Sequence, residues 1–180
     1  MIEEIDLRKI KEGTPGILSS LGAYMYDACI ATLHRCKHQD GVSMHLEGNR
    51  TIGISLRWAD EYNDQMDRTF REDSSMIDYA ASCISCLLAI HETSYTVIER
   101  GYTNSGIDYF LGYENDQLFS RAARLEISGI YHESLTNKPE IRLKAKIKQT
   151  RQSDNLDLPA YVSIIEFSKP RAIFKKTESL

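Results

Sequence analysis

Uninterrupted apolar runs of the length a membrane span needs are missing from this chain. Its opening, Met1-Ile-Glu-Glu-Ile-Asp6, is acidic where a signal peptide would be basic and then apolar. Together these absences predict a cytoplasmic protein with no membrane partner. Cysteine is scarce, with 4 in 180 residues. Cys83 and Cys86 stand in an apolar helical stretch, whereas a zinc knuckle needs a turn between its ligands, so buried inert thiols in a reducing compartment are expected. Positive charge is not in surplus either: 22 Lys and Arg face 26 Asp and Glu, a net charge of −4. That excludes a coat of basic surface but leaves a local basic face open. Glycine-rich phosphate loops, nucleophile elbows and cofactor signatures are absent too, which leaves a small-molecule enzyme without support.

What is present is ordinary for a globular chain, 42% hydrophobic and 27% charged, and long enough to bury a core without staples. Residues 1–72 read as amino-terminal helices and a hairpin packed on a core formed by residues 73–180. Glu3 to Glu12 has helix-forming composition, and a second helix is expected from about Ile17 to Lys37. His34 and His38 end it one turn apart, with Cys36 between them, a spacing that can share a metal ion. Lys and Arg interleave there, however, and cations suit a helix carboxyl end without any metal. The runs Gly41–Gly48 and Thr51–Trp58 alternate apolar and polar residues as a hairpin with one covered face does. A polar helix follows over Ala59–Glu72.

The chemistry is concentrated between Tyr95 and Ile130. Three runs there, Tyr95–Tyr102, Gly106–Tyr113 and Ala122–Ile130, have the β-branched and aromatic content of strands. Asn104-Ser-Gly106 suits a tight hairpin between the first two. Asp108 lies between Ile107 and Tyr109, and Glu126 between Leu125 and Ile127. Successive strand residues take opposite faces, so each carboxylate points away from its aliphatic neighbours. A carboxylate so placed is costly to desolvate unless a cation or donor meets it. A divalent metal shared by both is one answer. Arg124, on the same face as Glu126, or Arg100 or Arg121, is the other.

An apolar helix, about Ser74 to His91, precedes these strands. A basic helix, about Asn137 to Gln152, and a strand, Ala160 to Phe167, follow. The expected fold is α+β: a central mixed sheet with a helix-strand-strand-strand-helix-strand core flanked by helices, plus the amino-terminal helices and hairpin. From about Ser74 to Phe167 this order resembles the core of the PD-(D/E)XK, or restriction-endonuclease-like, nuclease superfamily. Gly106-Ile-Asp108 matches that family's first motif without its proline. Glu126-Ile-Ser128 matches the Glu-x-Lys motif with Ser128 in place of the lysine.

The resemblance implies a Mg²⁺ or Mn²⁺ ion held by Asp108 and Glu126. It also implies a lysine supplied from the basic helix by Lys144, Lys146 or Lys148, and a helix glutamine, Gln149 or Gln152. Lys146 and Gln149 are the expected catalytic partners of the two carboxylates, and Glu92 or Glu99 is a reserve ligand. Arg142, Lys144, Lys146, Lys148 and Arg151 put five cations into ten residues, the expected nucleic-acid-binding face. Lys144, Lys148 and Arg151 form one helical stripe and Arg142, Lys146 and Gln149 another, with Ile141/Ala145 and Leu143/Ile147 as apolar stripes between them. The resemblance implies a nuclease or nuclease-derived subunit of a bacterial DNA-processing or phage-defence (antiviral) system. The alternative is a non-catalytic assembly subunit that binds a larger ATPase or nuclease. In either case a protein partner or a homo-oligomer is expected beside nucleic acid.

Overall fold

The computed structural model describes residues 3–59, 62–71 and 73–177. Its strands are β1 (Glu3–Asp6), β2 (Ser43–Glu47), β3 (Thr51–Arg57), β4 (Thr96–Arg100), β5 (Tyr109–Gly112), β6 (Ala123–Ile130), β7 (Ala160–Glu166) and β8 (Arg171–Lys176). The helices are α1 (Ser19–Arg35), α2 (Asp64–Thr69), α3 (Asp73–Glu92) and α4 (Pro139–Thr150). All eight strands join one mixed sheet in the order β1-β3-β2-β8-β7-β6-β5-β4. The fold is therefore α+β around a central mixed sheet.

The half that matters for the site is β4-β5-β6, an antiparallel meander, with β7 added parallel to β6. The parallel step needs a crossover, and α4 provides it. Alternation along β6 decides which helix covers which face. Leu125 and Ile127 enter the main core with α3, and Gly129 lies so close to α3 that a Cβ there would meet Ile77. Ile130 joins Val162, Ile164 and Ile173 under Leu143 and Ile147 of α4. Glu126 and Ser128 share Ile130's side, so they look toward α4.

The long apolar helix is wrapped on several sides. It lies between α1 and the sheet, and Ser85 on it meets Ser163 of β7 in a buried 2.7 Å hydroxyl pair. Among the described residues, Ser74–Glu92 is the one helix long and apolar enough to cross a membrane. Even so, 56% of that window is buried inside the fold, as befits a core helix.

The structure corrects two local expectations. Glu3–Asp6 is a strand, not part of a helix, because it pairs parallel with β3 and buries Ile5. Asp6 then caps a 3-10 turn over Leu7–Glu12 by accepting the Arg8 amide at 3.0 Å. Nor is the β4–β5 connection a tight hairpin, since pairing stops at Arg100 and Tyr109 and residues 101–108 form a loop. Elsewhere, the Gly41–Trp58 hairpin extends the central sheet, with β2 parallel to β8.

Candidate metal-dependent active site

β5 stops at Tyr109, paired with Leu125, while β6 continues to Ile130 with only β7 beside it. On the β5 side of that extension the backbone is open, and Asp108 sits in the notch. Its amide donates to the Leu125 carbonyl at 2.9 Å, and its Oδ2 accepts the Ile127 amide at 2.6 Å. The side chain thus takes the place of the next ladder carbonyl. This ties Asp108 to Glu126 in position, one residue from each bond.

Glu126 is 2% exposed, and Lys146 reaches it from α4 with Nζ 2.6 Å from Oε1. Glu126 and Asp108 also act on each other directly, an interaction that favours the charged form of Asp108 and the neutral form of Glu126. Burial, then the Asp108 charge, push the Glu126 carboxyl up to about 7 against the pull of Lys146. Burial likewise raises Asp108, opposed by the Ile127 amide and by the charges of Lys146 and Arg100. Two carboxyls therefore meet in one desolvated place with a single bonded ammonium.

The pair opens on two adjoining cavities. One, of about 370 Å³, lies toward α3 and is lined by Asp78, Ser82, Asp108, Ser128 and Lys146. The other, of about 140 Å³, is lined by Asp108, Glu126, Gln149 and the 101–107 loop. Arg100 borders both. Gly106 brings that loop onto α4 with a left-handed φ of 69°. A Cβ there would come within 2.2 Å of the Gln149 carbonyl, so only glycine fits this approach.

The arginines expected as alternative partners are engaged elsewhere, save one. Arg124 turns under the carboxyl end of α4, donating to the Leu158 and Thr150 carbonyls, Ser153 and Asp154. Arg121 grips Glu99 with two 2.7 Å bonds. Arg100 acts on Asp108 through its charge and, among the described residues, forms no ion pair.

The five basic residues of the helix divide between two faces. Lys146 and Arg142 turn inward, Arg142 donating to Ser128 Oγ at 3.3 Å and to Asn137. Lys144, Lys148 and Arg151 remain exposed, as do Ile141 and Ala145. Gln152, the other glutamine considered, is exposed on the 3-10 turn after α4 and lines neither cavity.

Neither reserve glutamate joins the site. Glu99 is held by Arg121. Glu92 lies at the far end of α3 with His91, Glu3 and Arg50. Ligand atoms of Glu3, His91 and Glu92 fall within 4.8 Å of one another. Arg50 already bridges both carboxylates, at 2.6 Å to Glu3 and 3.2 Å to Glu92, so the charge a metal would bring is supplied.

The His34/Cys36/His38 trio disperses. His34 stacks on Tyr62 at 3.6 Å, His38 meets the Phe167 carbonyl at 2.8 Å, and Cys36 bonds Tyr131. A cavity of about 640 Å³ lies beside those histidines. Among the described residues it is lined by one carboxylate, Asp40, already accepting from the Trp58 amide and Arg57.

Sequence reasoning missed Asp78. Burial and then the Asp108 charge raise its carboxyl. The signal was a polar stripe, Ser75, Asp78 and Ser82, at helical spacing in an otherwise apolar helix. No protein-family model, curated protein or solved structure matches this chain.

Proposed function

We propose that this chain is a metal-dependent nuclease of the PD-(D/E)XK type, or a subunit derived from one. The supporting observation is the Asp108–Glu126 pair, Glu126 buried on β6 and Asp108 half-buried just before β5, with Lys146 bonded to Glu126 from α4 and Gln149 on the cavity wall. Two carboxylates against one bonded ammonium leave the cluster short of positive charge. Burial, followed by the Asp108 charge, raises the Glu126 proton affinity in the same place. A hard divalent cation fits such an oxygen donor set.

Asp108 and Glu126 would hold Mg²⁺ or Mn²⁺, which when bound polarises a scissile phosphate and lowers the pKa of an attacking water. Lys146 takes the part that Ser128 cannot. Its ammonium is fixed by Glu126 and lines the cavity beside Asp108, where it can orient a water and offset charge on phosphoryl oxygens. Gln149 borders the other side and can hold the same water or a phosphate oxygen. In hydrolysis the water oxygen bonds to phosphorus as the ester P–O bond breaks, and the leaving oxygen is protonated. Lys144 and Lys148, exposed on α4, and Arg151, exposed at the start of the 3-10 turn after it, are the cations left to follow a phosphate backbone. A place in bacterial DNA processing or phage defence belongs to this reading through the resemblance alone.

A second reading, a non-catalytic assembly subunit, draws on the outer face of α4. There Ile141 is 48% exposed beside an exposed Ala145. The test is cleavage of plasmid and single-stranded substrates with Mg²⁺ or Mn²⁺ by wild type, Asp108→Ala and Glu126→Ala. Cleavage lost in both variants supports the nuclease. No cleavage by the wild type, with a co-purifying partner, supports the assembly subunit.

A further inference from the structure

Tyr102 stands on the rim of the smaller cavity, on the wall that also carries Asp108, Glu126 and Gln149. It is 63% exposed, yet it is held in place. Arg121 donates to its hydroxyl at 3.2 Å and lies 5.6 Å from its ring centre. Arg121 is itself fixed, 3.9 Å over the Phe110 ring and doubly bonded to Glu99 at 2.7 Å. Below, Phe110 meets the Tyr102 ring edge-on at 6.4 Å. The backbone is pinned as well, since the Tyr102 carbonyl accepts the Ser105 hydroxyl at 2.6 Å.

A large aromatic face is thus preorganised and left in water beside the reacting carboxylates. Two residues earlier Arg100 borders both cavities, and among the described residues it forms no ion pair. A fixed aromatic face next to a guanidinium whose one recorded contact is the Tyr109 ring, 5.9 Å away, is what a single strand recognises: the base stacks on the ring and the phosphate takes the cation. A duplex keeps its bases stacked on one another and offers that ring only an edge.

We propose that Tyr102 is a stacking platform for an unpaired base beside the scissile phosphate, with Arg100 receiving the adjoining phosphate. The substrate class of this site is then single-stranded nucleic acid. This rests on the nuclease-type reading of Asp108 and Glu126.

The experiment is fluorescence anisotropy of the full chain in EDTA, where no cleavage competes. It uses labelled oligothymidine of about twelve nucleotides, its oligouridine counterpart, an abasic strand of equal length and the matching duplex, chosen to fit one site. Tyr102→Ala should weaken oligothymidine binding about tenfold or more, whereas Tyr102→Phe, which keeps the ring, should change it less than about threefold. On the abasic strand Tyr102→Ala should bind as wild type does, and the duplex should bind wild type more weakly than the single strand. An equal unfolding midpoint for the two variants separates lost stacking from lost structure. Comparison of the uridine and thymidine strands tells RNA from DNA within the class.

The platform is overturned if Tyr102→Ala binds oligothymidine as tightly as wild type, loses equally on the abasic strand, or if wild type prefers the duplex or binds no strand. Failure of the nuclease reading looks different. Tyr102-dependent binding without metal-dependent cleavage removes the hydrolysis and leaves the platform, and cleavage with Tyr102-independent binding does the reverse.

Discussion

The carboxylate of Asp108 accepts the amide of Ile127 at 2.6 Å, standing where the next carbonyl of β5 would have been. One side chain therefore ends a sheet ladder and also lines both cavities of the candidate site.

Because of that double duty, the two variants at this position should part company. Asp108→Asn keeps an acceptor for the Ile127 amide, so its stability should stay within about 1 kcal/mol of wild type. Asp108→Ala leaves that amide unpaired and should lose about 1–3 kcal/mol. Urea unfolding measures both, and neither variant should cleave nucleic acid.

Glu126 gives the fold a pH dependence of defined sign. Its carboxyl is raised from 4.5 to about 7. Below pH 4.5 folded and unfolded chains both hold the proton, so nothing is lost. As pH rises toward 7 the unfolded chain releases it first, and this group's share of stability falls until the folded carboxyl has ionised too. The whole fall is on the order of 3 kcal/mol. Glu126→Gln should remove it, so the wild-type-minus-variant difference in urea stability should decline between pH 4.5 and 7 and then level. A flat difference would contradict the assignment.

Lys146 is the bonded cation at Glu126, and its loss should matter most when Glu126 is ionised. Lys146→Met should cost little near pH 5. Near pH 8 it should lose about 2 kcal/mol or more, since a buried charge is left without its partner. In the Glu126→Gln background that pH-dependent part should vanish, which a double-mutant cycle reads directly.

The exposed stripe of α4 should act through charge alone. Replacing Lys144, Lys148 and Arg151 together with glutamine should weaken nucleic-acid binding at every sequence. It should also reduce the slope of log affinity against log salt by about 2–3. Replacing Arg142, which is bonded to Ser128 and Asn137, should leave that slope nearly unchanged.

How much of this the sequence carried depends on how local each cause is. Asp108 and Glu126 stood out because a carboxylate between two aliphatic strand residues asks for a partner. Lys146 and Gln149 fell on one helical stripe by simple 100° geometry. That stripe faces the site because Leu143 and Ile147, not Ile141 and Ala145, pack on Ile130 and Val162. Two equal apolar stripes could not reveal which one the sheet would take. Glu3–Asp6 was read as helix because its pairing partner, β3, lies some fifty residues away in the chain, and such pairing overrides local propensity. The β4–β5 loop was missed because a side chain replaces a backbone acceptor, which no turn signal encodes. Asp78 was hidden in a helix whose apolar residues dominate its pattern.

The central claim is that Asp108 and Glu126 form one cation-holding site, and calorimetric titration of the purified chain with Mn²⁺ tests it most directly. The account predicts saturable binding that Asp108→Asn and Glu126→Gln each abolish while both variants still unfold cooperatively. Unchanged Mn²⁺ binding in both variants, or none in the wild type, would contradict it.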